Sequence, residues 1–346
     1  MRYCLPRLFS KMKREITRTS LTKQVHSTAL LRSADLVSVH DAGGVRKITL
    51  NNPKKRNVLS LAMLRELDAQ FKKTDVESSV RCVVLCSSGP VFSSGHDLKE
   101  LKIDSSDTAK IQEIFSLCTR VMTSIRRLSV PVVAQVNGLA AAAGCQLVAT
   151  CDIVLATDKS SFSLPGAAFG LFCSTPGIAV ARCVPQKTSA YMLMTGNAIN
   201  AQEALTSGLV SKVVPEEKLQ EETDRVTSAI VAKSRSVLAL GKKFYYRQIQ
   251  MGIEDAYAEG EQVMLHNLQY CDSQEVCRRA SLVPGRLTFR ITSACDFGLP
   301  RLSVNCRSRL SDGRGRSNIA KSTYLVLGTI GFLYWAKKKA SGKSAK

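Results

Sequence analysis

Two stretches in the first half of the chain constrain it more than anything else: Val91-Phe92-Ser93-Ser94-Gly95-His96-Asp97-Leu98 and Asn137-Gly138-Leu139-Ala140-Ala141-Ala142-Ala143-Gly144-Cys145-Gln146. Each follows a short β-branched apolar run, Val80 to Cys86 and Val130 to Val136, and each leads into text compatible with helix. The pattern is a strand, a tight turn of small residues and a helix start, written twice. Small residues let a ligand approach the main chain, and the first turn of a helix carries N–H groups with no partner inside the helix. Two such turns facing one another offer a single carbonyl oxygen two backbone donors, an oxyanion hole. One glycine-bearing turn is commonly no more than a turn; the pair, in this order and spacing, carries the reading.

With 346 residues, 45% of them hydrophobic, the chain can bury a sizeable core. A formal net charge of +21 points first to a polyanionic partner, nucleic acid or a membrane surface. Its distribution argues otherwise. Residues 1–34 carry eight Lys/Arg against one Glu, and residues 276–346 fifteen against two Asp, which leaves 35–275 close to neutral. No nucleic-acid partner is therefore expected. The twelve cysteines form no CxxC pair and several lie in apolar runs (Cys82, Cys86, Cys151), which disfavours a disulfide framework or zinc site. The four histidines, His26, His40, His96 and His266, lack metal-ligand spacing, so no metal is expected.

The Arg-rich, hydroxyl-rich, acid-poor start to about residue 34 has the composition of a mitochondrial transit peptide, with a disordered basic arm as the alternative. Leu36 to His40 and Val45 to Leu50 read as a hairpin turning at Asp41-Ala42-Gly43-Gly44. Asn51 to Ser60 is a loop with the cations Lys54, Lys55 and Arg56. Ser60 then suits the N-cap of a helix to about Thr74. Ile111 to Ile125 has the apolar spacing of an amphipathic helix, and Ile153 to Thr157 reads as a strand. Phe162 to Gly177 is punctuated by Gly and Pro. Beyond it the text is mostly helical, broken at Pro185, Gly196 and Gly208, with a short strand in Leu209 to Val214 and no strand text from Glu216 to Cys271.

The paired turns, together with Asn52-Pro53-Lys54-Lys55-Arg56-Asn57, the run on to Leu101 and Gly170-Leu171-Phe172-Cys173-Ser174-Thr175-Pro176-Gly177, resemble the crotonase (enoyl-CoA hydratase/isomerase) superfamily from about Leu36 to about Glu275. The resemblance implies an α/β fold, a crotonase-like spiral of ββα repeats over 35–230 with a helical oligomerisation segment over 231–275. It implies an acyl-CoA or enoyl-CoA thioester as ligand, CoA being part of that ligand rather than a separate cofactor. It places the backbone N–H groups of His96 and Ala143 as the oxyanion donors, and the CoA nucleotide along Lys54, Lys55, Arg56, Asn57 and Leu59. For the His96 imidazole a structural role is favoured over catalysis, and Asp97 is read as capping the next turn. A homotrimer or dimer of trimers is implied as well, together with fatty acid metabolism in the mitochondrion, its matrix by expectation.

The chain departs from the family where the chemistry is concentrated. Hydratases of this family hold water between two glutamates, one taking a proton while the other gives one. Carried over residue by residue, Gln146 stands at the first position and Gly166, in Leu164-Pro165-Gly166, at the second. Gln146 can orient a water, and Gly166 is read as a vacated position with room for water. Such acid/base groups each contribute roughly 100- to 10,000-fold, so thioester polarisation with weak hydration is expected. The alternative is a non-catalytic acyl-CoA-binding or regulatory protein. From Val276 the family's final helix gives way to Arg-rich, non-periodic text. Within it the apolar stretch 324–336 is shorter than the roughly 20 residues that span a bilayer, so at most weak membrane association is expected.

Overall fold

The computed structural model describes residues 36–102 and 108–282. Strands β1 (Val37–Ala42) and β2 (Val45–Leu50) form the expected hairpin, with Ala42 opposite Val45 and Gly43-Gly44 making a two-residue turn at positive φ. Ser60 accepts the Met63 N–H at 3.3 Å and starts α1 (Leu61–Val76), which buries Leu64, Leu67 and Phe71. Glu100 supports the same helix start from outside, its carboxylate accepting the Leu61 N–H at 2.7 Å.

Three strand–strand–helix units follow. The first is β3 (Cys82–Ser87), β4 (Val91–Ser93) and α2 (Thr108–Arg127); the second is β5 (Val132–Val136), β6 (Leu139–Ala141) and α3 (Ala143–Thr150). The third is β7 (Ile153–Thr157) and β8 (Ser161–Ser163), then a 3₁₀ turn over Pro165–Phe169 and α4 (Ser174–Val180). The chain continues through α5 (Gln186–Thr195), β9 (Ile199–Asn200), α6 (Ala201–Thr206) and β10 (Lys212–Val214). It then runs through α7 (Leu219–Val231), α8 (Arg235–Gln248), α9 (Ile253–Asn267) and α10 (Cys271–Leu282).

In each unit the first strand joins one sheet and the second strand another, giving orders β1-β2-β3-β5-β7-β10 and β4-β6-β8-β9. This is the spiral of ββα repeats that the sequence resemblance implies. Strands β3, β5 and β7 are parallel and covered on both sides, which is why they read as continuous apolar runs rather than alternating ones. One side faces the main core with Val83, Val132 and Ala134. The other, with Cys82, Val133 and Leu155, meets Leu219 of α7.

Two readings of the sequence need correction. Strand β9, two residues long, gives no periodic signal and was not expected. Val276 belongs to α10, which runs to Leu282, so regular structure persists past the break expected at Glu275. Backbone helix propensity over Cys271–Leu282 needs no apolar stripe, and its lack of periodicity concealed it. The transit peptide assigned to 1–34 and the basic tail beyond Leu282, with its apolar stretch 324–336, lie outside the described residues. Among those described, no helix is long and apolar enough to cross a membrane. The nine described cysteines are unbridged, and burial pushes Cys82 and Cys118 up to about 12, which keeps both as thiols.

A buried ion pair ties α8 to this core. Lys242 donates to Asp152 at 2.6 Å and to the carbonyls of Ile125 and Val130, while Asp152 also accepts from the Tyr246 hydroxyl at 2.7 Å and from the Val132 N–H. All three Lys242 ammonium protons and both Asp152 oxygens have partners at this junction, which offsets the desolvation of both charges. Asp152→Ala is expected to cost about 3–5 kcal/mol in urea unfolding, because Lys242 is then buried unpaired. Pairing it with Lys242→Met should return a good part of that loss in a double-mutant cycle.

Candidate functional site

Strand β4 ends at Ser93 and β6 at Ala141, paired side by side and parallel, so the two turns that follow start next to each other. Their approach is close. A β-carbon added at Gly95, which has φ +92°, would lie 2.9 Å from the Ala142 Cβ and 3.2 Å from the Ala143 nitrogen; one added at Gly144 would lie 2.4 Å from the Ser93 carbonyl oxygen. Neither position has room for a side chain.

Between the two, Ala142 holds φ +49° and ψ −119°, a conformation that costs an L-residue on the order of 1–3 kcal/mol. It is kept there by its own N–H, bonded to the Ser163 carbonyl at 2.9 Å. The strain delivers the chain into α3 with no side-chain cap on its first turn. Among the described residues, neither the Ala143 N–H nor the His96 N–H has a hydrogen-bond acceptor. The structure thus sets Gly95, the residue before His96, against Ala143, and gives neither the His96 nor the Ala143 amide an acceptor among the described residues.

The His96 imidazole is packed rather than presented. Its Nδ1 lies 3.3 Å from the Leu59 carbonyl, its ring stands edge-on to Phe115 at 5.5 Å, and its buried Nε2 has no partner. Burial pushes its pKa below the ordinary value, outweighing the Leu59 bond and Glu100, so the ring is neutral. Asp97 accepts the Lys99 N–H at 3.1 Å and shapes the turn after His96.

Gln146 lies on the first turns of α3, with 7% of its surface exposed and its side-chain oxygen buried without a partner. That is an open acceptor in a packed setting, which is costly unless something fills it. Gly166 corrects an expectation. A β-carbon there would lie 1.9 Å from the Leu171 carbonyl oxygen and 2.7 Å from the Cys173 sulfur, and the Gly166 N–H already points at that sulfur, 3.3 Å away. The position is not a vacated volume; the loop 165–173 has closed over the space a side chain would need.

The cationic loop divides into two kinds of residue. Lys54, Lys55 and Arg56 are exposed around a short 3₁₀ turn, whereas Asn57 and Leu59 are fully buried. The Asn57 amide donates to the Ser88 and Val91 carbonyls at 2.9 and 2.8 Å and accepts from the Asn52 N–H at 2.8 Å. Its side chain is buried and committed to these internal partners, and that of Leu59 lies in the core. The expectation that these two side chains bind a nucleotide is therefore corrected: a polar residue in a basic loop looks like a ligand contact until its partners are seen.

A cavity of about 740 Å³ lies elsewhere, between α8 and α9, with Phe244, Ile253, Tyr257, Met264 and Leu268 in its lining beside Gln248 and Glu261. It contains none of the residues of the paired turns or the basic loop, and its lining is mostly apolar. Exposed apolar side chains at its rim, among them Ile253 at 72% and Tyr257 at 72%, give it the character of a contact surface.

Because the folded chain disfavours the charged His96, the unfolded chain takes up the proton first as pH falls. Stability from this source is complete above the ordinary value of 6.5 and declines as pH drops from there towards the lower folded value. Urea midpoints measured from about pH 7.5 to about pH 5.5 should fall, and His96→Gln should flatten that slope. Gly166→Glu is expected to lower the unfolding free energy by roughly 2 kcal/mol or more through overpacking, and the Gln146→Glu/Gly166→Glu pair should not create a fast hydratase.

Residues 40–281 match the family model described as Enoyl-CoA hydratase/isomerase. The chain is 52% identical over 238 residues to human "Enoyl-CoA hydratase domain-containing protein 3, mitochondrial", an alignment covering 69% of this chain and 78% of that protein. The Xenopus laevis protein of the same description is 47% identical over 251 residues, covering 72% and 85%. A crystal structure of the human protein superposes with a TM-score of 0.68 at 50% identity, over 71% of this chain and 97% of the other. One of an enoyl-CoA hydratase from Mycobacterium smegmatis gives 0.69 at 43%, over 71% and 96%. With its two sheets spiralling through ββα units and its paired turns meeting at Gly95 and Ala142, the chain belongs to the enoyl-CoA hydratase/isomerase family.

Proposed function

We propose that this chain binds acyl-CoA or enoyl-CoA thioesters through a backbone oxyanion hole made by the N–H groups of His96 and Ala143, in mitochondrial fatty acid metabolism. The observation that carries the reading is the contact of Gly95 with Ala142 and Ala143, together with two neighbouring amides that have no acceptor among the described residues. Preorganised donors of this kind bind a polarised carbonyl oxygen without reorganising, and each is worth about 3–4 kcal/mol where charge develops on it. Lys54, Lys55 and Arg56 supply cations, exposed and unburdened by the core, for the phosphorylated ribose of CoA. No cofactor is required beyond the CoA of the ligand itself.

Hydration through this site is slow. Gln146 cannot exchange a proton, and the second position is a glycine whose side-chain space is filled. The loss of each acid/base group removes roughly 100- to 10,000-fold. The filled space at Gly166 favours the second reading, a protein that binds and presents acyl-CoA with little or no turnover. Gln146, with its open buried oxygen, then holds a water or an acyl-chain donor rather than activating one.

The location is the mitochondrion, in keeping with the basic leader and with relatives whose names say mitochondrial. The apolar groove between α8 and α9 suits a contact between copies of this chain, as a trimer or a dimer of trimers requires.

Crotonyl-CoA binding by calorimetry and 3-hydroxyacyl-CoA formation by chromatography, run on the same preparation, test the proposal. Binding with product formation at least about 100-fold below that of a two-glutamate hydratase is expected. No binding, or hydration at ordinary rates, would overturn it. Replacing Lys54, Lys55 and Arg56 by Ala should weaken CoA-thioester binding roughly tenfold and flatten its salt dependence, since exposed charge contacts are each modest and screened.

A further inference from the structure

The basic loop and the first oxyanion turn are not two features that happen to be near each other; they are laced together rung by rung. The Ser94 N–H donates to the Arg56 carbonyl at 3.0 Å, and the Leu59 N–H to the Gly95 carbonyl at 2.7 Å. Between these rungs the Ser93 hydroxyl donates to the Asn57 carbonyl at 2.8 Å and accepts the Gly95 N–H at 3.3 Å. The Asn57 side chain then closes the connection between β3 and β4 from the other side, through Ser88 and Val91.

This lacing holds a costly backbone. Arg56 and Asn57 are consecutive residues with φ +53° and +50°, a left-handed pair that only surrounding contacts maintain. Lys54, Lys55 and Arg56 lie at one end of the strained turn, and Gly95, whose C=O is fixed by Leu59, immediately precedes the His96 N–H at the other. The peptide plane carrying the His96 N–H is set by the orientation of that Gly95 carbonyl, because the two belong to one planar unit. Whatever stabilises the left-handed turn therefore stabilises the aim of the His96 donor.

We propose that Asn57 and Ser93 are positioning residues that couple occupation of the basic loop by the phosphorylated nucleotide to polarisation of the thioester carbonyl by the His96 N–H. The proposal rests on the CoA-thioester reading above and goes further: it assigns to two side chains that touch no ligand the task of turning remote binding energy into carbonyl polarisation. Such coupling is reciprocal, so the thioester end must tighten the nucleotide end by the same factor.

The test uses the full chain with CoA divided into its two halves, a conjugated dienoyl-pantetheine thioester and the bisphosphorylated adenosine fragment. The red shift of the dienoyl absorption reports carbonyl polarisation, and its titration reports affinity. In the unaltered chain the adenosine fragment should tighten the dienoyl thioester roughly five- to tenfold and deepen the red shift. Ser93→Ala and Asn57→Ser should keep the affinity for the fragment alone, while the tightening falls to about onefold and the added red shift disappears. A role confined to stability would lower the unfolding midpoint and leave the tightening factor intact. Should Asn57→Ser fail to fold, Ser93→Ala, which removes only the hydroxyl, decides alone. Full coupling in Ser93→Ala, or two halves that bind the unaltered chain independently, overturns the relay and leaves the CoA-thioester reading standing. If neither half binds, that reading fails and the relay with it.

Discussion

A single carbonyl oxygen, that of Ser93, sets how closely the two halves of the site can meet. It lies so near to Gly144 that any β-carbon there would fall 2.4 Å away, and a neighbouring contact puts Gly95 against Ala142 and Ala143. With side chains at these positions, β4 and β6 could not deliver their turns so close together. Close packing of main chain on main chain is what the surrounding architecture supports. The ββα units place β4 beside β6, the Ser163 carbonyl of β8 holds the strained Ala142, and the buried α3 is wedged behind them.

The energetic logic is that strain is held locally and offset by the core. Ala142, Arg56 and Asn57 all occupy backbone regions that L-residues avoid, and they are the only described non-glycine residues to do so. All three border the site: one starts α3, and two form the turn beneath the basic loop. Around them the packing is closed, with Phe92, Leu59, Ala140 and Ala143 fully buried. The Asp152–Lys242 junction further fixes α8 to the sheet, outside the site but against the same core. Two of the buried polar atoms without hydrogen-bond partners belong to residues beside these turns, the His96 Nε2 and the Gln146 side-chain oxygen. The first belongs to a ring whose packing explains it. The second, at the start of α3, is an acceptor left open beside the second turn.

Much of the fold was legible because its signals are local. Continuous apolar runs marked β3, β5 and β7, glycine pairs marked the first turn, and Ser60 marked the start of α1. What escaped was short or aperiodic: the two-residue β9, and α10, whose text lacks an apolar stripe. At the site the sequence located the paired turns but assigned the wrong duty to three residues. Asn57 and Leu59 were read as ligand contacts when both side chains are internal, and Gly166 was read as empty space when the loop carrying Leu171 and Cys173 fills it. Residue type alone does not say which way a side chain points, nor what a missing one has been replaced by.

Sequence by itself determined the repeated strand–turn–helix units, their small-residue turns and the presence of glutamine and glycine rather than carboxylates at positions 146 and 166, because these depend on residue identity and on neighbours along the chain. Only the tertiary structure decided that the turns touch at Gly95 and Gly144, that Asn57 and Ser93 bind the basic loop to the first turn, and that the space at Gly166 is occupied. The reason is geometric: each of these contacts joins segments from different strands and loops, and their distances follow from how the two sheets pair and pack rather than from any local preference.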